Sequence, residues 1–233
     1  MKFKIIREYN DFFKRLGIDK KGILMKDSNL KFATYPYIGS NYGKAKKIFF
    51  IGLDIGSDEK LEGFQTFEER RKAIEDKKII NHNPHIAGTY IFSLYFLKDD
   101  KNWTEFWNNI KNKSSCQRAL KERKLLPNDN PLSYIALTNF YKFVTVNRTK
   151  RTGALNRNYR KKEIEEALLL NEIEFLKPDI IIFQSKQFLD KKYKKFLHTI
   201  KKLINGTIYI GLHPSHRGNR SPKYLIKHLK RVE

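Results

Sequence analysis

Three polar side chains with complementary chemistry follow apolar runs of the sequence. Asp54, Asn139 and His213 stand at the ends of runs rich in Ile, Phe, Leu and Tyr. They supply a carboxylate, a carboxamide and an imidazole, which are suited to activating water, reading a hydrogen-bonding pattern and donating a hydrogen bond. If the runs are neighbouring parallel strands, these groups meet outside the carboxyl ends of the strands. The sequence therefore predicts a polar site at that edge of a sheet.

The elements that must position this site are short buried strands separated by helical patterns. The strand predictions cover residues 47–53, 133–139, 179–184 and 207–212. The helix predictions cover residues 10–16, 67–75, 104–110, 162–176, 186–204 and 222–231. Alternation of strands and helices favours an α/β fold, predicted as a single three-layer α/β/α domain over residues 1–233 with a mainly parallel, four-stranded central sheet.

Three further segments complete this prediction. Residues 1–34 are expected to form a helical extension ahead of the sheet. Residues 81–131 are the least regular part of the pattern, with turn-forming residues at both ends. Residues 142–162 contain no acidic residue and predict a solvated loop that faces phosphate.

Each of the three polar residues also has a purely structural interpretation. Asp54 would cap the next helix, Asn139 would satisfy a turn, and His213 would be an ordinary histidine before a proline turn. The three positions are far apart in the sequence, yet the predicted topology brings them to one edge. This coincidence favours the functional interpretation.

The composition predicts a polyanionic partner. The chain has 233 residues, and its 48 Lys and Arg outnumber its 25 Asp and Glu, which gives a formal net charge of +23. Such a charge attracts phosphate backbones, so the partner predicted from composition is a nucleic acid. In the alternative interpretation, an AT-rich genome enriches Lys without selection for binding, and runs such as residues 191–195 are solvated helix faces.

The cysteine count and the hydropathy pattern exclude several classes of protein. Cys116 is the only cysteine, which excludes an intrachain disulfide and any multi-cysteine cluster, and neither a metal nor a cofactor is expected. No window approaches the ~18 apolar residues of a membrane-spanning helix. The expected protein is cytoplasmic, nucleoid-associated if the source is a prokaryote, without a membrane partner and monomeric.

In four places, and in order, the sequence resembles the uracil-DNA glycosylase superfamily. Residues 52–56 (GLDIG) look like the first motif of the family, and residues 139–142 (NFYK) are similar to its Asn-x-x-Lys motif. Residues 172–182 resemble a helix, a Lys-Pro turn and the third strand, and residues 213–215 (HPS) match the last motif. The resemblance spans residues 35 to 229, nearly the whole chain, and its specificity comes from the order of short motifs.

The resemblance implies a monofunctional, metal-independent DNA glycosylase of base excision repair. Such an enzyme takes a damaged base out of the helical stack and hydrolyses its N-glycosidic bond. Asp54 would position the water and stabilise the cationic sugar, His213 would donate a hydrogen bond to the leaving base, and Asn139 would read its pairing edge. The other residues expected around the base are Gly52, Leu53, Ile55, Gly56, Phe64 and Phe67. Those expected to contact the DNA backbone are Lys142, Arg148, Ser215, His216 and Arg217.

Two details of this site stay open at the level of sequence. Phe64 or Phe67 would form the aromatic platform for the base, and the alternative is that both simply pack beneath the sheet edge. The combination of Asp54, Asn139 and His213 favours uracil as the excised base. Hypoxanthine, xanthine and an oxidised pyrimidine are the alternatives.

Two other functions compete with base excision. Ile55 and Gly56 replace a proline and a tyrosine of the family's first motif, and residues 216–219 (HRGN) replace the usual loop after its last motif. These changes suggest, as an alternative, a catalytically inactive member of the same fold that only binds DNA. A metal-dependent nuclease is suggested by Asp179 followed by residues 184–186 (QSK). It is less favoured, because Gln184 is a poor magnesium ligand and lies at the opposite end of the predicted strand from Asp179.

Overall fold

Nine strands form two sheets in this computed structural model, which describes residues 2–54, 66–75, 83–99, 101–121, 130–145, 162–215 and 221–233. The strands are β1 (Ile23–Leu24), β2 (Asp27–Phe32), β3 (Tyr37–Ile38), β4 (Ile48–Asp54), β5 (Ile135–Tyr141), β6 (Phe143–Thr145), β7 (Ile180–Phe183), β8 (Thr207–Ile210) and β9 (Lys230–Arg231). The central sheet has six strands in the order β3-β5-β4-β7-β8-β9. Its four inner strands are parallel, and the two-residue strands β3 and β9 pair antiparallel at its edges.

The eight helices of the described residues cover both faces of this sheet. They are α1 (Lys2–Leu16), α2 (Phe67–Glu75), α3 (Pro84–Leu97), α4 (Lys101–Ile110), α5 (Cys116–Lys121), α6 (Lys162–Leu176), α7 (Lys191–Leu203) and α8 (Pro222–Lys227). Alternate residues of β4 point to opposite faces, so Phe49 belongs to the core formed with α1, α6 and α7, whereas Phe50 belongs to the core formed with α3, α4, α5 and α8. Burial on both faces explains why the inner strands are continuous apolar runs.

The mixed α/β fold and the mostly parallel central sheet are therefore confirmed. The predicted size of four strands is wrong, because β3 and β9 extend the sheet to six. Each edge strand contains only two residues, and β9 consists of exposed Lys230 and Arg231. No alternation of apolar and polar residues can be read from two positions, so neither strand could be predicted from the sequence.

A helical extension is predicted for residues 1–34, but the N-terminal segment also contains strands. After α1, strands β1 and β2 pair antiparallel, and β2 also pairs antiparallel with β6, which forms a separate three-stranded sheet. Residues 143–145 are therefore a strand and not the start of a loop. The rest of the predicted basic loop, residues 146–161, lies outside the described residues.

Several helix boundaries differ from the predicted ones for local reasons. The predicted helix at residues 186–204 is a 3₁₀ turn, Lys186–Leu189, followed by α7, which begins after Asp190. The predicted helix at residues 222–231 ends at Lys227 because the chain then enters β9. The irregular region of residues 81–131 contains α3, α4 and α5. Helix α3 is buried on nearly all sides and has no polar face to mark it as helical.

Within the described part of the chain, no helix combines the length and the apolar character needed to span a bilayer.

Candidate active site

The carboxyl ends of the four parallel strands are aligned with one another. Gly52 of β4 is paired with Asn139 of β5. The backbone N–H of Gln184, just after β7, donates to the carbonyl of Ile51 (2.8 Å), and Gly211 follows β8 at the corresponding position. Gly52, Asn139, Gln184 and Gly211 thus form one level across the edge of the sheet.

Asp54 and His213 both stand two residues beyond this level. Asp54 is the last residue of β4, where it is paired with Tyr141, and His213 lies in the loop after β8. The structure therefore brings the backbone positions of Asp54, Asn139 and His213 to the same edge. This is the arrangement that the topology predicted.

A glycine allows the side chain of Asn139 to lie against β4. A Cβ atom at Gly52 would be 2.3 Å from Oδ1 of Asn139, well inside van der Waals contact. Asn139 is only 8% exposed, so its carboxamide is held in the edge by packing. Gly52 is needed here for this close approach and not for an unusual backbone angle.

The orientation and tautomer of His213 are set by Ser215. The backbone N–H of Ser215 donates to Nδ1 of His213 (3.2 Å), and the Ser215 hydroxyl lies 2.7 Å from the same atom. Because a backbone amide can only donate, Nδ1 is the acceptor and the proton of the neutral ring is on Nε2. The Nε2–H group is then a hydrogen-bond donor on a ring whose other nitrogen is held by the loop.

His85, which the sequence analysis did not single out, packs against His213. The two imidazole rings are stacked, with centroids 5.0 Å apart and planes 12° from parallel. Gln184 is fully buried, and its Nε2 donates to Oγ1 of Thr89 (2.9 Å), so its Oε1 accepts from Nε2 of His85 (2.9 Å). These hydrogen bonds, from Thr89 through Gln184 to His85, thus fix the imidazole ring on which His213 is stacked.

The only sequence signal for His85 was the start of its helix. Asn83 accepts hydrogen bonds from the backbone N–H groups of His85 and Ile86, and Pro84 occupies the first helical position. This Asn-Pro pair marks the N-terminus of α3. It does not reveal that the N-terminus lies over the carboxyl edge of the sheet, which is a tertiary feature.

A second glycine lets the His213 loop lie on α3. A Cβ atom at Gly88 would be 2.4 Å from Cβ of Pro214 and close to the Pro214 backbone. Backbone atoms cannot move aside cheaply, so a larger residue at position 88 would push the loop away from the helix. Gly88 and the ring stack therefore hold the same loop from two directions.

His85 is held neutral by its surroundings. Desolvation is the main cause that lowers its pKa, to about 4, and the neighbouring His213 and the Arg70 guanidinium act in the same direction. The hydrogen bond with Gln184 opposes this shift without reversing it. The His85 ring is therefore neutral at pH 7.

We expect this shift to appear in the pH dependence of stability. Between pH 6.5 and 4 the unfolded chain protonates His85 and the native protein does not, so the free energy of unfolding falls as the pH is lowered and then levels off. Against His85→Phe, the wild type should lose about 2 kcal/mol more over this window, after allowance for partial exposure of the ring. Urea unfolding at pH 4, 5, 6 and 7 measures the difference, with His198→Gln as the control. Parallel curves for wild type and His85→Phe would contradict the assignment.

Lys142 is not placed to contact DNA, contrary to the prediction. It is 2% exposed, and its ammonium group forms a salt bridge with Glu172 of α6 (2.8 Å). It also donates to Oγ1 of Thr138 (2.5 Å), and Tyr9 of α1 donates to the same carboxylate of Glu172. The ammonium group cannot reach a phosphate from this position, so Lys142 instead ties the end of β5 to α1 and α6.

The surroundings of this ion pair are also charged. Oε1 of Glu165 accepts from the backbone N–H groups of Lys142 (2.8 Å) and Phe143 (3.1 Å). Burial lowers the pKa of Lys142, an effect that Glu172 opposes. Arg70 of α2 is buried as well, and desolvation lowers its pKa to about 10, so it remains charged and faces Glu172. This buried network lies directly behind the strand end that carries Asn139.

Phe67 packs in the core, which was the structural alternative for this residue. Its ring stacks on Tyr35 with centroids 4.4 Å apart, and only 8% of the residue is exposed. Leu53 is half-buried against the same core. The hydroxyl of Ser215, expected at the DNA backbone, lies next to His213 instead.

Six of the predicted site residues lie outside the described residues: Ile55, Gly56, Phe64, Arg148, His216 and Arg217. The residues of the nuclease alternative are at opposite ends of β7, because the carboxylate of Asp179 accepts from the N–H of Lys47 at the amino edge (2.8 Å). Gln184 lies at the carboxyl edge. No group of three His, Cys, Asp or Glu residues within the described ranges is arranged to hold a metal ion.

The fold and the aligned strand ends define a mixed α/β protein with a polar site at the carboxyl edge of its sheet. No protein-family model matches the chain, and no curated protein matches it.

Proposed function

We propose that the protein is a DNA glycosylase that hydrolyses the N-glycosidic bond of uracil or a related deaminated or damaged base. The observation that carries the proposal is the common edge of Asp54, Asn139 and His213. Asp54 and Asn139 lie in two neighbouring strands and His213 in the loop after a third, in the order of the family's motifs, and their positions lie within two residues of one level. The activity belongs to base excision repair and, in a prokaryote, to the nucleoid in the cytoplasm.

The chemistry of the edge suits this reaction. The leaving base develops negative charge on an oxygen, and the Nε2–H of His213 is a donor for that charge. The carboxamide of Asn139 offers an acceptor and a donor side by side, which matches the pairing edge of a pyrimidine. Asp54, at the end of the neighbouring strand, supplies the carboxylate that positions water and stabilises the cationic sugar.

The rigidity of the donor supports the same function. A neutral imidazole stabilises a developing oxyanion best when its ring does not have to reorient during the reaction. Ser215 holds Nδ1 of His213, and His85 covers a face of the ring. These two contacts hold the ring in one orientation.

The formal net charge of +23 supports DNA as the carrier of the base. Attraction to phosphate raises the local concentration of DNA and compensates for the cost of taking a base out of the stack, which is a few kcal/mol.

The test is an excision assay on end-labelled oligonucleotides that carry one uracil, single-stranded and in a duplex, in excess chelator. We expect strand cleavage at the uracil only after alkali, because a monofunctional glycosylase leaves an abasic site. Cleavage without alkali that requires magnesium would indicate a nuclease instead. Retarded mobility without cleavage on uracil, hypoxanthine and oxidised pyrimidines would favour the DNA-binding alternative.

A further inference from the structure

Helix α7 has two faces of sharply different character. The residues that pack into the core are Tyr193, Phe196, Leu197 and Ile200. The exposed positions are mostly lysines: Lys191, Lys192, Lys194, Lys195, Lys201 and Lys202, with His198 among them. The helix contains no acidic residue.

Four of these lysines and His198 lie in a row along the helix. Residues 191, 194, 195, 198 and 202 follow the i, i+3, i+4, i+7, i+11 spacing that places side chains on one face. At 1.5 Å per residue this stripe is about 16 Å long. Phosphates of one DNA strand follow each other every ~3.4 Å along the axis, so the stripe spans about five of them. We call residues 191, 194, 195, 198 and 202 the α7 stripe.

The stripe is unfavourable for the helix that carries it. Like charges three and four residues apart repel, and Lys191 and Lys195 are such a pair. Lys191 and Lys192 also stand in the first turn, where the helix dipole favours acidic residues, yet none is present there. Among the described residues, no carboxylate forms a salt bridge with any of the six lysines of α7. An anionic partner would offset these costs.

We propose that the α7 stripe binds the phosphate backbone of duplex DNA. The face carries no exposed aromatic ring, since Tyr193 and Phe196 are buried, so it offers nothing on which unpaired bases would stack. Contacts from lysines alone are independent of sequence. Helix α7 follows the 3₁₀ turn after β7, so the stripe begins at the sheet edge that carries the candidate site and extends from there down one face of the protein.

The inference stands apart from the proposed excision activity, since it concerns DNA without any damaged base. The experiment measures binding of a fluorescein-labelled, undamaged 20-base-pair duplex by anisotropy between 50 and 300 mM NaCl. The stripe variant replaces Lys191, Lys194, Lys195 and Lys202 with Gln. The control variant replaces four exposed lysines elsewhere, Lys20, Lys21, Lys44 and Lys101, with Gln. Both variants lower the formal net charge from +23 to +19.

At 100 mM NaCl we expect the stripe variant to bind at least 10-fold more weakly than wild type, and the control variant less than 3-fold. The slope of log Kd against log salt should fall by about 2 to 4 in the stripe variant alone. Equal losses in both variants, or no loss in either, would overturn the proposal. Retained DNA binding with lost binding to phosphatidylserine vesicles would also overturn it, in favour of a membrane surface. Circular dichroism confirms folding, because Gln is a good helix former.

The result is distinguishable from failure of the proposed function. A stripe variant that binds undamaged duplex weakly, beside a wild type that excises no base, would support the stripe and remove the glycosylase proposal. Excision by wild type together with unchanged binding of the stripe variant would support the glycosylase proposal and remove the proposal for the α7 stripe.

Discussion

Replacement of Asp54 with Asn should lower the rate of uracil excision by about 10²- to 10⁴-fold, the range that loss of a positioned acid or base produces. Asn keeps the size of the side chain and removes its charge, so it neither activates water nor stabilises a cationic sugar. Single-turnover excision from a uracil-containing oligonucleotide measures the effect on the chemical step.

Replacement of His213 with Ala should lower the same rate by about 10²- to 10³-fold, because one donor to the leaving oxygen is lost. The matched control for Asp54→Asn is Asp190→Asn, because Asp190 precedes α7 and its side chain makes no capping hydrogen bond. Binding of the oligonucleotide should change little in Asp54→Asn and His213→Ala. Rates within a few-fold of wild type would remove the corresponding residue from the mechanism.

The second large effect concerns stability and does not depend on the proposed function. Lys142→Met should lower the free energy of unfolding by about 3 kcal/mol, because it leaves the carboxylate of Glu172 buried without its ion-pair partner. Arg70, which also faces Glu172, keeps the loss at the lower end of the usual range. Urea unfolding measures the change.

Two further variants test whether the unpaired carboxylate of Glu172 causes this loss of stability. Lys46→Met breaks the exposed pair with Asp99, whose side chains are 42% and 78% exposed, and should leave the free energy of unfolding almost unchanged because water screens both charges. Lys142→Met combined with Glu172→Leu removes both charges and should recover most of the loss. A loss below 1 kcal/mol for Lys142→Met alone would show that the buried pair contributes no more than an exposed one.

The four parallel strands were predictable because burial on both faces requires continuous apolar runs of strand length. Helix α6 and helix α2 begin and end where the pattern placed them. Strands β3 and β9 were not predictable, since pairing of two residues at a sheet edge is decided by neighbours distant in sequence. Helix α3 was missed for the opposite reason: it is apolar nearly all round, so its periodicity disappears.

For the candidate site, strand topology was sufficient to bring Asp54, Asn139 and His213 to one edge. It was not sufficient to assign Lys142, whose place after a strand looked like a position for phosphate contact. Whether a lysine points outward or into a buried carboxylate depends on the helix packed behind the strand. His85 was missed because its helix start was visible in the sequence but the ring stack with His213 was not.

The order of strands in the central sheet also has a consequence for synthesis of the chain. Strand β4 lies between β5 and β7, and Ile48 is paired with Ile135 and Ile180, about 90 and 130 residues later. At 5 to 20 residues per second, the ribosome produces the first of these partners roughly 5 to 20 seconds after β4. During that time an apolar strand has no neighbour to pair with and is prone to intermolecular association. Yield in the cell should therefore depend on chaperones that bind the nascent chain.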